Sequence, residues 1–200
     1  MTNLHESFGD IDIYLFDQLL RGRIAPGMRV FDAGCGAGRN LVYLLREGYD
    51  VSAVDVDPHA IELVRRRAAH LPPEQFRAEP IESTTFDAAI ADVVISSAVL
   101  HFARDHAHFE AMLQGTWRLV KPGGLLFCRV ASTIGMPDRM RALGGGRYRL
   151  PDGSDRYLVD EAALLDWTDR LHGTLVDPLK TTVVQDQRCM TTWVVRKNGK

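Results

Sequence analysis

Residues 30–40 read VFDAGCGAGRN and place three glycines within five positions, directly after an apolar run. A glycine-rich turn between a strand and a helix lets the backbone approach a ligand closely, where helix N–H groups point outward. Dinucleotide sites of the G-x-G-x-x-G type bind a pyrophosphate there. Counted from Gly34, the last glycine of that motif is replaced by Arg39 in this sequence. Asp32 precedes the glycines, and its carboxylate would repel a pyrophosphate. The stretch therefore favours a ligand that carries an ammonium group.

The composition indicates one globular domain, residues 1–200, with 46% hydrophobic and 25% charged residues. No apolar run approaches the roughly 20 residues of a membrane span, and the polar start, residues 1–10, is unlike a signal peptide. Three widely spaced cysteines predict reduced thiols in the cytoplasm. We predict no metal site, because no His, Cys and Asp cluster has ligand spacing. The net charge of −2 argues against a nucleic-acid-binding surface.

Apolar runs and helical periodicities alternate along most of the chain. This alternation predicts a parallel sheet with helices on both faces. The predicted helices are 10–21 (capped by Asp10), 39–47, 58–70, 106–119 and 160–171, and the predicted strands are 28–32, 51–54, 75–78, 92–97 and 125–130.

The pattern changes after residue 131. Residues 132–159 contain a glycine triplet and RYRLPDGSDRYLV, which predicts a two-stranded hairpin around residues 151–153. Residues 181–184 and 191–195 predict a closing hairpin. We interpret residues 132–159 as an inserted lid, which closes over the substrate together with an N-terminal helix in residues 1–22. The alternative interpretation of residues 132–159 is an exposed basic hairpin.

Four motifs occur in order between residues 28 and 131 and resemble those of class I S-adenosylmethionine-dependent methyltransferases. VFDAGCGAGRN is similar to their first motif, D/E-x-G-x-G-x-G, and Asp55 stands 23 residues after Asp32, where the family places an acid on the ribose hydroxyls. AEPIEST, from residue 78, resembles the loop that frames the adenine. DVVISSAVLHF and RLVKPGGLLF resemble the fourth strand and the turn before the fifth. Residues 38–61 are most like the small tellurite-resistance type.

The resemblance implies an α/β, Rossmann-like methyltransferase fold with a mostly parallel seven-stranded sheet and an antiparallel C-terminal strand. It implies S-adenosylmethionine as cofactor and a small-molecule acceptor, with a monomer or homodimer as the assembly. The residues expected to hold the cofactor are Asp32, Gly34, Gly36, Gly38, Arg39, Asp55, Val56, Glu79, Pro80 and Ser96, with Ser96 facing the methyl group and Ile81 an alternative to Pro80 on the adenine face.

Three of the candidate residues have two interpretations each. Arg39 binds either the methionyl carboxylate of the cofactor or a neighbouring acid. Gly38 serves either ligand approach or helix packing. His101 follows the fourth predicted strand, and it is either a catalytic base or a structural residue under the cofactor, since methyl transfer often needs no protein base.

The substrate candidates are Tyr14, Arg129 and Tyr148. Arg129 interrupts an otherwise apolar strand, so it binds either an anionic group of the substrate or an internal carboxylate. The acceptor atom stays open, although residues 96–99 read SSAV rather than NPPY, which disfavours methylation of bases or glutamine amides. The alternative functions are a dinucleotide-dependent oxidoreductase and a cofactor-binding regulatory protein without turnover.

Overall fold

The computed structural model describes residues 3–136 and 138–199. The ends of the predicted 1–200 domain, including Met1 and Thr2 of the N-terminal segment, and Pro137 of the predicted insertion lie outside the described residues. The helices are α1 (Leu4–Phe8), α2 (Ile13–Leu20), α3 (Val42–Arg46), α4 (Pro58–Arg67), α5 (His106–Leu119) and α6 (Glu161–Arg170). The strands are β1 (Arg29–Ala33), β2 (Asp50–Asp55), β3 (Phe76–Ala78), β4 (Ala91–Ser97), β5 (Val120–Ala131), β6 (Arg141–Gly144), β7 (Arg147–Arg149), β8 (Asp155–Tyr157), β9 (Gly173–Leu175), β10 (Lys180–Val184) and β11 (Arg188–Lys197).

The main sheet has the strand order β10-β11-β5-β4-β1-β2-β3, with β9 also paired to β11. Strands β1 to β5 are parallel, and β11 is antiparallel to β5, β9 and β10. Strands β9 and β10 pair with different parts of β11 on the same side of it. Together they occupy one edge position of the sheet, and residues 176–179 separate the two strands. Pro178 lies among these residues and has no N–H for a ladder hydrogen bond. The prediction of seven positions, mostly parallel, with an antiparallel C-terminal strand is confirmed.

Helices cover both faces of this sheet because successive side chains of a strand point in opposite directions. On one face, Phe31 packs in a core that includes Leu113 of α5 and Leu164 of α6. On the other, Val30 packs in a core that includes Leu44 of α3 and Ile61 of α4. Burial of each such side chain contributes about 1.5–3 kcal/mol. The central strands β1, β2, β4 and β5 are therefore covered on both faces, and a ligand reaches them at their ends.

The helix boundaries differ from the prediction at three places. Helix α2 begins at Ile13 and is capped by Asp12, whose carboxylate accepts from the Tyr14 N–H at 3.0 Å, rather than by Asp10. The helix predicted over 39–47 is confined to α3, because residues 34–38 form tight turns with positive φ at each glycine. The helix predicted over 58–70 ends with α4. The predictions also missed α1, β6 and β9.

Strands β6, β7 and β8 form a separate three-stranded antiparallel sheet. The hairpin of β7 and β8 is confirmed, and β6 adds an edge to it. The Tyr157 hydroxyl lies 2.8 Å from His106 Nδ1, which fastens β8 to the start of α5. Within the described ranges, no helix has the length and apolar character needed to cross a membrane.

Candidate functional site

A cavity of about 580 Å³ opens at the carboxyl ends of β1, β2 and β4. From the neighbouring strands β1 and β4 the chain continues toward opposite edges of the sheet. Such a reversal of strand order leaves a crevice at the carboxyl ends of parallel strands, which is where α/β sheets bind ligands. The glycine-rich stretch lines this cavity through Gly34, Cys35 and Gly36.

Two of the glycines have different reasons for lacking a side chain. Gly34 has φ +87°, and a Cβ there would lie 2.5 Å from a Val99 methyl carbon. Gly36 has φ +51°, lines the cavity, and a Cβ there would meet nothing within 4 Å. Gly34 therefore permits close packing of the loop on Val99, whereas Gly36 leaves open space for a ligand.

Gly38 does not line the cavity. A Cβ at Gly38 would lie 3.0 Å from a Val64 methyl carbon of α4, and the backbone has φ +78°. The structure therefore favours the helix-packing interpretation of this glycine over ligand approach.

Asp55 joins the glycine-rich loop to the end of β2. Its Oδ2 accepts from the Gly36 N–H at 2.7 Å, and its Oδ1 accepts from the Asp57 N–H at 3.0 Å. Each carboxylate oxygen has more than one lone pair, so both can accept further hydrogen bonds from ligand hydroxyls. Asp55 lines the cavity beside Val56, whose side chain is 73% exposed and offers an apolar surface at the cavity mouth.

Asp32 lies behind the loop rather than in the cavity lining. It is 1% exposed, and neither carboxylate oxygen has a hydrogen-bond partner among the described residues. Burial raises the pKa of Asp32 to about 7; the charge of Arg39 acts in the opposite direction and that of Asp55 in the same one. A buried acid without a partner is costly, and a cation brought by a ligand would offset part of that cost.

Another part of the cavity lining is formed by Ile81, Met112 and Glu79. Glu79 accepts from the Thr84 hydroxyl at 2.8 Å and from the Thr85 N–H at 2.8 Å and hydroxyl at 2.6 Å. Burial favours the neutral acid, but these hydrogen bonds outweigh it and hold the pKa of Glu79 below its usual value. Glu79 is therefore an ionised acceptor positioned at the cavity edge.

Arg39 lines both this cavity and a second one of about 300 Å³. Its guanidinium donates to the Ser97 hydroxyl at 3.0 Å and lies 3.8 Å from Asp12 Oδ2. Asp12 is fully buried and pairs more closely with Arg129, at 2.7 Å. Because the nearer partner of Asp12 is Arg129, Arg39 keeps capacity for an anionic group of a ligand. Ala98, with φ +65°, is the other residue common to both cavities.

His101 lines the second cavity and is buried. Its Nδ1 accepts from the Ala131 N–H at 3.3 Å, so in the neutral ring the hydrogen resides on Nε2. Burial, with a smaller effect of the Arg156 charge, lowers the pKa of His101 to about 4. The acceptor nitrogen of this neutral ring is already hydrogen-bonded, so the ring can donate a hydrogen bond but has no free nitrogen to take a proton. This favours the structural interpretation of His101 over that of a catalytic base.

The buried state of His101 predicts a pH-dependent contribution to stability. The pKa falls from 6.5 in the unfolded chain to about 4 in the folded one, so the unfolded chain binds the extra proton between these values. The contribution is fully present above pH 6.5 and is lost as the pH falls to 4. When the pH is lowered from 7.5 to 4, the free energy of unfolding of wild type, measured in urea, should fall by about 3 kcal/mol more than that of His101→Gln. An equal loss in both proteins would contradict this assignment.

Several predicted site residues lie outside both cavities. Ser96 is fully buried in the sheet, and the next residue, Ser97, lines the cavity instead, because alternate residues of a strand face opposite sides. Ile81 rather than Pro80 lines the cavity beside Glu79. Tyr14 donates to or accepts from the Thr182 hydroxyl at 2.7 Å, and Tyr148 packs on a small core with Leu150.

Arg129 lines the second cavity but is already paired with Asp12, so the internal-carboxylate interpretation is the one that the structure shows. The sequence analysis missed Asp12 as the acid of this pair. It also missed Asn40, Val99, Phe102, His108 and Met112 as cavity-lining residues. His108 and Met112 are four apart on α5, a spacing that places both on one helix face.

Known proteins share both the sequence motifs and this fold. Residues 31–128 match the family model described as a methyltransferase domain. A ubiquinone biosynthesis O-methyltransferase of Methylocella silvestris is 40% identical over 114 residues, which are 54% of this chain and 43% of that relative. Other curated methyltransferases are also matched over less than half of their own length.

Two solved structures have the same fold. The 1,6-didemethyltoxoflavin N1-methyltransferase of Burkholderia thailandensis, with S-adenosylhomocysteine bound, gives a TM-score of 0.70 at 21% identity, over 98% of this chain and 81% of that one. TehB of Haemophilus influenzae gives 0.68 at 17% identity, over 94% and 63%. The sheet order and the cavity thus define a class I methyltransferase fold. Over residues 31–128, about half of the chain, the sequence is that of a methyltransferase domain.

Proposed function

We propose that this chain transfers the methyl group of S-adenosylmethionine to a small-molecule acceptor. The observation that carries the proposal is the cavity at the carboxyl ends of β1, β2 and β4, where open space at Gly36 adjoins the acceptor-only carboxylate of Asp55. The match of residues 31–128 to a methyltransferase domain supports the same reaction. The shared region is under half the length of the first relative, so that relative's substrate is not transferred to this chain.

The residues present fit this cofactor group by group. Asp55 accepts from the ribose hydroxyls and Glu79 from the exocyclic amine of adenine, with Val56 and Ile81 on the faces of the ring. The buried, unpartnered carboxylate of Asp32 compensates the charge of the ammonium group. Arg39 binds the methionyl carboxylate, for which its position between the two cavities is suited.

When bound, S-adenosylmethionine would supply a methyl group on a sulfonium, with S-adenosylhomocysteine as the leaving group. The chain's contribution is to align the acceptor with the methyl–sulfur bond and to exclude water. Ala98, at the junction of the two cavities, leaves room for the transfer. The neutral His101 orients the acceptor by donating from Nε2, and the nucleophile loses any proton to solvent before the site excludes water.

The β7-β8 hairpin borders the second cavity, because its residues Leu150, Ser154 and Arg156 line it. This placement supports the proposal that residues 132–159 act as a lid within a single methyltransferase domain. We also propose a cytoplasmic location, since all three cysteines are unpaired and buried. We propose a monomer or a homodimer as the assembly.

A turnover assay tests the proposed function. The chain is incubated with S-adenosylmethionine and a panel of phenols, carboxylates, amines and thiols, and released S-adenosylhomocysteine is measured. We expect release that depends on one acceptor class and is lost in Asp55→Ala. Tight binding without acceptor-dependent release would favour the binding protein without turnover, and binding of NAD instead would favour the oxidoreductase.

A further inference from the structure

The second cavity has an unusual charge for this chain. Its lining includes four arginines and two aspartates, a formal charge of +2, whereas the whole chain carries −2. These residues come from distant segments that meet where the β7-β8 hairpin and the turn before β11 approach the end of β4. The charged residues are Arg39, Arg129, Arg156, Arg188, Asp12 and Asp152.

The two aspartates do not neutralise all of the arginines. Asp12 pairs with Arg129 at 2.7 Å and approaches Arg39 at 3.8 Å. Asp152 Oδ1 is held by the Ser154 N–H at 2.9 Å and hydroxyl at 2.6 Å. Within residues 3–136 and 138–199, neither Arg156 nor Arg188 forms an ion pair with a carboxylate. Arg156 and Arg188 therefore share one acid, Asp152, whose pKa is lowered by the Ser154 hydrogen bond and by the charges of both, so this side of the cavity keeps a net positive charge.

The position of Arg156 is set by contacts that leave most of its donors available. Its Nη1 donates to the Asp155 carbonyl at 2.8 Å, and the guanidinium carbon lies 4.9 Å from the Phe102 ring centre. Arg188 is exposed at the start of β11 and contributes, after Ser154, to lowering the pKa of Asp152. The two guanidinium groups thus border the same space from two different elements.

We propose that this cavity binds the methyl acceptor through a carboxylate or phosphate group that Arg156 and Arg188 hold. This inference rests on the proposed function, because the junction at Arg39 and Ala98 is where the acceptor atom would meet the methyl group. The guanidinium fork matches the paired oxygens of both anions. Leu150, Met190 and Ala131 supply apolar contacts for the rest of the molecule.

The size of the cavity restricts the acceptor further. Its volume of about 300 Å³ lies at the lower end of the range for ligand pockets. The substrate class is therefore a small organic acid or phosphate ester that carries the acceptor atom on a compact body. His101 provides one more hydrogen-bond donor to such a molecule and no negative charge.

Matched aromatic probes test this inference by ligand-observed NMR titration. Benzoate and phenyl phosphate carry the two anions, and benzamide is the neutral analogue of benzoate. We expect wild type to bind at least one anion about tenfold more tightly than benzamide, and the tighter anion identifies the preferred group. In R156Q/R188Q the preference should fall below about twofold.

The control R66Q/R170Q removes two exposed arginines elsewhere on the chain and should keep the full preference. Equal affinity for all three probes in wild type, undetectable binding of every probe, or a preference that survives in R156Q/R188Q would overturn the inference. S-adenosylhomocysteine is titrated into the same samples. If it binds while the anion preference is absent, only this inference fails; if it does not bind to folded protein, the proposed function fails separately.

Discussion

Replacing Asp55 with alanine should weaken the binding of S-adenosylhomocysteine by at least about 100-fold, the largest loss expected for any single side chain of the site. Two ribose hydroxyls would lose their charged acceptor, and such hydrogen bonds contribute about 1.5–3 kcal/mol each. The Gly36 N–H would also lose the acceptor that holds it at 2.7 Å, so the glycine-rich loop would be less well ordered for the ligand. Isothermal titration calorimetry of the two proteins measures the change.

Asp57→Ala is the matched control for this experiment. It removes the same charge two residues further on, where the side chain caps α4 by accepting from the His59 N–H at 2.9 Å. This variant should lose about 1 kcal/mol of stability through the missing cap and keep its affinity for the ligand within about twofold. Equal weakening by both substitutions would mean that the net charge, rather than Asp55 itself, determines binding.

Asp32→Asn should stabilise the unliganded protein at alkaline pH. The pKa of Asp32 rises from 3.8 in the unfolded chain to about 7 in the folded one, chiefly because of burial. The folded state therefore prefers the protonated acid, and stability is lost as the pH rises from about 4 to 7. The free energy of unfolding of Asp32→Asn should therefore gain about 4 kcal/mol relative to that of wild type between pH 4 and pH 8. Urea unfolding at these two pH values measures it.

The same substitution should impair function. Without the carboxylate, the ammonium group of the ligand loses its compensating charge, so the stabilised variant should bind S-adenosylhomocysteine more weakly than wild type. Asp87→Asn, an exposed acid, is the control and should change stability by less than about 0.5 kcal/mol at either pH. A stability difference for Asp32→Asn that does not vary with pH would show that Asp32 is not the buried, unpartnered acid described above.

The pH effects of Asp32 and His101 oppose each other in wild type. Between pH 4 and 6.5, the folded state holds an Asp32 proton that the unfolded state has lost, so this residue lowers stability as the pH rises. The unfolded state holds a His101 proton that the folded state has lost, so His101 raises stability over the same range. Wild type should therefore show a shallow profile in this range. Each single variant should reveal the contribution of the residue that remains.

The parallel strands and the cofactor side of the site could be predicted because their signals are local. Runs such as VSAVD end in an acid at the carboxyl edge of the sheet, and a glycine-rich turn follows β1 directly. The resemblance of these motifs to a known family added the roles of Asp55 and Glu79. The structure places both residues in the cavity lining.

The remaining features depend on tertiary contacts. Asp10 and Asp12 are equally good helix caps in the sequence, and burial of Asp12 against Arg129 decides between them. A strand buried on both faces lacks the alternation that would distinguish Ser96 from Ser97. The short strand β9 forms by pairing with β11. The anion-binding pair Arg156 and Arg188 comes from two distant segments, and no local pattern brings them together.

Calorimetric titration of the folded wild-type chain with S-adenosylhomocysteine, and separately with NAD, tests most directly whether the cavity beside Gly36 and Asp55 is a methyltransferase cofactor site. We predict saturable heat at one site for S-adenosylhomocysteine and none for NAD. Absence of heat with S-adenosylhomocysteine in folded protein, or saturable binding of NAD in its place, would contradict the assignment.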